Sequence, residues 1–134
     1  MDVTSTPISA HGGEVLGGLA SVKVDGTKHD VLVLDIGIIL VPTPKKDEYG
    51  KNRMIQLLQS GSVVQLASYH RFLAYEQIAV AHITKRTPLQ AELTLHDGTT
   101  VSLKETWTGE TLDKESSIRL LERLLAYEPD AAQP

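Results

Sequence analysis

The sequence predicts an α+β domain: a curled antiparallel sheet, sandwich or barrel, of about seven short strands with one C-terminal capping helix and a helical insertion. Three stretches carry this. Leu89, Ala91, Leu93 and Leu95 alternate with polar residues, and Val101, Leu103 and Trp107 do so again after His96-Asp97-Gly98, which is a hairpin with one buried face. Glu14 to Val41 holds three further short apolar runs divided by Asp25-Gly26 and Asp35-Ile36-Gly37. From Asp113 to about Tyr127, Ile118, Leu121, Leu124 and Leu125 form one apolar helical stripe.

Parity fixes the register of the hairpin. A two-residue Asp97-Gly98 loop sets Leu93 opposite Ser102 and turns one apolar set to water. A three-residue loop, His96-Asp97-Gly98, sets Leu93 opposite Val101 and Ala91 opposite Leu103, with Gly98 in the left-handed position, and is the expected register.

In chain order, residues 1–13 are polar, with Pro7 and a Gly pair, and read as a flexible arm. The domain proper spans 14–127. Glu14 to Val24 is a strand weakened or bent at Gly17-Gly18. Asp25-Gly26 turns the chain into Lys28 to Leu34, whose run Val31-Leu32-Val33-Leu34 is apolar on both faces and belongs inside a sheet. Ile38 to Val41 follows and ends at Pro42.

Residues 43–74 change character and read as the helical insertion. Thr43 to Arg53 is charged loop. Met54, Ile55, Leu57 and Leu58 have the spacing of a short helix, and Gly61 breaks it. Ser62 to Leu73 reads as a second helix capped by Ser62, although Val64, Leu66 and Ser68 also fit a strand. Ile78 to Lys85 is a strand that stops at Thr87-Pro88. Asp113 is a suitable N-cap for the last helix, Glu115 and Arg119 form an i, i+4 pair, and Glu128-Pro129 ends it, leaving 128–134 as a disordered tail.

Composition bounds the function. With 134 residues, 41% hydrophobic and 22% charged, the chain suits one globular domain with an aliphatic core, since aromatics make up only 4%. A net charge of −4 argues against nucleic acid. No cysteine is present, so disulfides, thiol nucleophiles and thiolate metal sites are excluded. No apolar run approaches membrane length, and the N-terminus lacks the pattern of a signal peptide, so a cytoplasmic location is expected. The five histidines, His11, His29, His70, His82 and His96, show no metal-binding spacing, and no serine sits in a nucleophile elbow. No catalytic residues, metal or cofactor are expected.

A strand meander, a polar insertion, a second meander and a C-terminal amphipathic helix together resemble the pleckstrin-homology-like (PH-like) superfold, in particular compact bacterial PH-like domains. Val31 to Leu40 is similar to their second and third strands, Tyr75-Glu76-Gln77-Ile78 to the tyrosine-containing lead-in of their fourth, and Leu95-His96-Asp97-Gly98 to the turn before their last. The resemblance covers 14–127, and the insertion departs from a minimal PH-like domain. It implies two sheets packed nearly orthogonally, a helix capping one end, and a binding scaffold rather than a chemistry. Lipid-binding members carry a basic cluster on the first hairpin. Here Lys23 and Lys28 are offset by Asp25 and Asp30 with no arginine after them, so phosphoinositide binding by that route is not expected.

The expected function is a non-enzymatic module for protein–protein or peptide interaction, with self-association open and peripheral membrane contact a lesser variant. The alternative is a small-ligand carrier or an enzyme with a pocket inside the curled sheet. The candidate binding residues are Lys45, Lys46, Lys51 and Arg53 in the charged loop of the insertion.

Overall fold

A computed structural model of the protein describes residues 14–42, 69–105 and 114–128. Seven strands appear there: β1 (Val15–Val24), β2 (Thr27–Leu34), β3 (Gly37–Pro42), β4 (Arg71–Ala74), β5 (Ile78–Arg86), β6 (Leu89–Leu95) and β7 (Thr100–Glu105). A single 3-10 turn, Tyr75–Gln77, joins β4 to β5, and helix α1 (Lys114–Leu125) closes the described chain. All strand pairs are antiparallel and form one sheet in the order β4-β3-β2-β1-β7-β6-β5. The two expected meanders are thus joined through β1 and β7, where Val22 faces Glu105, Lys23 faces Lys104 and Val24 faces Leu103.

The hairpin takes the expected register. Leu93 pairs with Val101 and Ala91 with Leu103. Gly98 has a φ of 90°, and the Leu95 N–H donates to the Thr99 carbonyl at 2.8 Å, so three residues make the loop. The β1–β2 turn has two residues, Asp25 and Gly26, with φ of 51° and 86°. Both positive values define the hairpin turn whose twist matches its strands. Asp25 also ties this turn to β7: its N–H donates to the Ser102 carbonyl and its carboxylate accepts the Ser102 N–H, each at 2.9 Å.

β1 carries a bulge between Leu19 and Val22, with Ser21 at a φ of 60°. The buried Asp30 carboxylate on β2 accepts the Ser21 N–H at 3.2 Å. Asp30 is thus buried on the sheet face that also carries Lys28, where it holds the bulge.

β4 departs from the expectation. Arg71–Ala74 is a strand, not the end of a helix beginning at Ser62, because Ile38 and Ile39 of β3 pair with Leu73 and Phe72. Sheet pairing overrides a four-residue local pattern that fits either state. The helix expected over 54–59, residues 62–68 of the second one, Trp107 and Asp113 lie outside the described residues.

The main core lies between one face of the sheet and α1 and is aliphatic, built around Leu19, Val31, Val33, Leu40, Leu93, Val101, Leu120 and Leu124. Leu32, Leu34, Ile39 and Val41 form a second buried cluster on the other face of β2 and β3, as the unbroken apolar run of β2 requires.

The face of α1 that packs on the sheet runs through Ser116, Leu120 and Leu124, all buried. Ile118, expected in the buried stripe, is 54% exposed, and Leu121 sits at the flank. The rotation follows from Ser116. Its Oγ accepts the Gly18 N–H at 3.2 Å, and a Cβ built on Gly17 would lie 2.9 Å from the Ser116 Cβ and closer still to its Oγ. Gly17 is therefore where helix meets strand, and the β1–β2 register also shifts between Val15 and Gly17, in keeping with the bend expected there. Arg119 fixes the same contact from the side, donating to the Leu16 carbonyl at 2.8 Å and pairing with Glu115 at 2.9 Å.

Gly17→Ala should lower unfolding free energy by about 1–3 kcal/mol, the usual cost of overpacking. Leu120→Asp should prevent folding at room temperature by placing an unpartnered charge in the core. Urea denaturation followed by circular dichroism measures both, and a wild-type midpoint for Gly17→Ala would show that α1 does not sit on β1.

Candidate binding cleft

The sheet is open between its edges β4 and β5, and the chain crosses that opening through Tyr75–Gln77. A network of backbone bonds holds this crossing. The Tyr75 N–H donates to the Ile36 carbonyl at 3.0 Å, and the Ala74 N–H to the Gln77 side chain at 2.8 Å. The His96 N–H reaches the Gln77 carbonyl at 2.9 Å, which ties the crossing to the β6–β7 loop. The β2–β3 bend is fixed in turn by Asp35, which exchanges two bonds with Glu14: Asp35 N–H to Glu14 carbonyl at 3.0 Å, and Glu14 N–H to the Asp35 carboxylate at 2.9 Å.

Between that bend, the crossing and the C-terminal end of α1 lies a cleft of about 420 Å³. Asp35, Ile36, Tyr75 and Glu76 line one wall, and Glu122, Arg123 and Tyr127 the other. The helix end is pinned there because the Tyr127 carbonyl accepts the Ala81 N–H of β5 at 2.9 Å. A second hollow of about 360 Å³, lined by Leu16, Arg119, Glu122 and Arg123, shares two of these side chains, so the hollows run along one flank of α1.

Tyr75 anchors the floor. Its ring is buried and its hydroxyl donates to the Leu34 carbonyl at 2.8 Å. Burial raises its pKa well above that of an ordinary phenol, Arg123 pulls it back, and Asp35 and Tyr127 add to the rise. Tyr75 is thus a neutral donor that locks the end of β2, while the charged groups above it face solvent. Glu76, Glu122 and Arg123 are exposed.

Elsewhere polar side chains serve the backbone. Asp97 accepts the Thr99 N–H at 2.8 Å, and hydrogen bonds from Thr99 hold its carboxyl below the usual range. Glu105 accepts the Leu89 N–H at 3.0 Å and the Ser117 hydroxyl at 2.7 Å, clamping β6, β7 and α1 together. Nδ1 of His29 lies 2.7 Å from the Thr27 carbonyl. His82 and His96 are exposed. Among the described residues no three His, Cys, Asp or Glu side chains come together as a metal site would require, and no helix is long and apolar enough to cross a membrane.

Lys45, Lys46, Lys51 and Arg53, the basic candidates read from sequence, lie outside the described residues. None of the cleft residues stands out as a site in the sequence: Tyr75-Glu76 enters only through the PH-like resemblance, Asp35-Ile36 as part of a turn and Tyr127 as the end of the last helix. Asp35, Glu76, Arg123 and Tyr127 are scattered along the chain, and only closure of the sheet under α1 assembles them. No protein-family model matches the chain, and comparison with curated proteins finds no match.

Tyr75→Phe should cost about 1–3 kcal/mol, because the buried Leu34 carbonyl loses its donor. The pH dependence has a definite sign. A phenol whose pKa is higher in the folded chain adds stability below about pH 10, its unfolded value, and loses it as pH rises toward the folded value. Urea melts at neutral pH and above pH 10 should show wild-type stability falling with alkali, and falling less in Tyr75→Phe. Equal alkaline loss in both proteins would contradict the assignment.

Proposed function

We propose that the chain is a PH-like, non-enzymatic binding module that holds a segment of a partner protein, in the cytoplasm, with the cleft beside Tyr75 as its contact site. The observation that carries this reading is the cleft at the open end of the sheet, where apolar surface from Ile36, Tyr75 and Tyr127 adjoins the exposed charges Glu76, Glu122 and Arg123. Such a mixture suits a protein surface or peptide. The order of two meanders and a C-terminal helix supports the PH-like assignment. The use of buried Asp30 and Ser116 to hold β1 backbone groups supports a scaffold over a catalyst. The net charge of −4 places nucleic acid and anionic membranes behind a protein partner.

A small-ligand carrier is the second reading, favoured by the cleft volume, which falls in the range of small-molecule pockets. One experiment separates the two. A photo-crosslinking residue replacing Ala126, which lines the cleft, is irradiated in the native host cell. The binding-module reading expects a discrete protein adduct that disappears when Ile36→Arg is added to the same chain. Absence of any protein adduct, together with small mass additions in native mass spectrometry, would replace it with the carrier.

A further inference from the structure

The register of the sheet gathers lysines that the sequence keeps far apart. Lys28 of β2 pairs with Lys23 of β1, Lys23 with Lys104 of β7, Lys104 with Gln90 of β6, and Gln90 with Lys85 of β5. Residues directly opposite share one face of a sheet. Four lysines and one glutamine therefore form a single row across five neighbouring strands, about 19 Å long at the usual strand spacing of about 4.8 Å. The lysines are exposed and Gln90 is half-buried. The row faces away from α1, since Val22, Val24, Ala91 and Leu103, on either side of it along their strands, are buried in the main core beneath the helix.

Like charges set directly opposite destabilise a sheet. Here two consecutive cross-strand pairs, Lys28 with Lys23 and Lys23 with Lys104, are lysine on lysine. The carboxylates nearest in sequence flank the row without interrupting it: Asp30, two residues along β2 from Lys28, is buried and accepts the Ser21 N–H, and Asp25, in the turn, accepts the Ser102 N–H. A row that works against the sheet and keeps its charge outward is a surface for an anionic partner.

The shape of the charge selects the partner. The basic row is one residue wide, because the next position along β6 is Glu92, paired with Ser102 and His82. A broad planar anion such as a membrane would meet Glu92 as well, whereas a narrow linear one lies along the lysines. None of the five strands contains Phe, Tyr or Trp, so the face offers none of the rings on which unpaired bases stack. We propose that this row docks an extended acidic segment of a protein, rich in Asp and Glu, lying across the strands on the face opposite α1. The inference rests on the reading of the chain as a protein-binding module but uses a different surface from the cleft.

The test is fluorescence anisotropy of a fluorescein-labelled deca-glutamate peptide with the intact protein. The peptide should bind at low salt and weaken as ionic strength approaches about 0.15 M, where exposed charges are screened. Lys23→Glu should weaken it by at least about tenfold while leaving the melting temperature unchanged or higher, because the new carboxylate would face Lys28 and Lys104 and both like-charge pairs would become opposite-charge pairs. Arg71→Glu, exposed on β4 and outside the row, should bind like wild type. No binding at low salt, or equal loss in Arg71→Glu, would overturn the proposal. So would tighter lysine-dependent binding to phosphatidylserine vesicles or to a single-stranded oligonucleotide. A failed peptide with a surviving cleft adduct would remove this surface alone. A bound peptide without that adduct would remove the cleft alone.

Discussion

Ser116 sits against the backbone of β1 at Gly17, with its hydroxyl on the Gly18 N–H, and most of the architecture depends on that approach. A larger residue on either side would lift α1 off the sheet. Leu120 and Leu124 follow Ser116 at successive four-residue steps, so the close contact at one point sets the rotation of the whole helix and puts both leucines into the core. At its other end the Tyr127 carbonyl takes the Ala81 N–H. The helix thereby touches the first strand of each meander, the central β1 and the edge β5, and fixes the two relative to each other.

β1 is the other half of that constraint. It pairs with β2 along its length and with β7 only over Val22 to Val24, past the bulge that Asp30 holds at Ser21. Both proposed surfaces depend on this strand. On the helix side, the docking of α1 creates the cleft walled by Arg123 and Tyr127. On the other side, the β1–β7 pairing aligns Lys23 with Lys104 and completes the basic row.

The residues show why only part of this was legible beforehand. Alternation and turn chemistry are local, so the β6–β7 register, the Asp25-Gly26 turn and the buried run in β2 were readable. The position of α1 in sequence was readable, but not its rotation. Ile118, Leu121 and Leu125 look as suitable for burial as Leu120 and Leu124, and only the Gly17–Ser116 contact decides between them. β4 failed for a similar reason: four residues carry too little pattern to tell a strand from the end of a helix, and pairing with β3 decides it. The role of Asp30 at the bulge was not readable, because a backbone N–H in a bulge has no sequence signature. The cleft and the lysine row are long-range products of closure, so neither has a motif.

Native-state hydrogen exchange at the Gly18 and Ala81 amides tests the central claim most directly, because both bond to the helix region, to the Ser116 hydroxyl and the Tyr127 carbonyl. If helix docking holds the sheet together, both amides should exchange only through global unfolding, with the same free energy and urea dependence as core amides such as Val31 and Val33. Exchange of Gly18 and Ala81 through a low-energy opening insensitive to urea, with Val31 and Val33 still protected, would show that the sheet stands without the helix and would contradict the account.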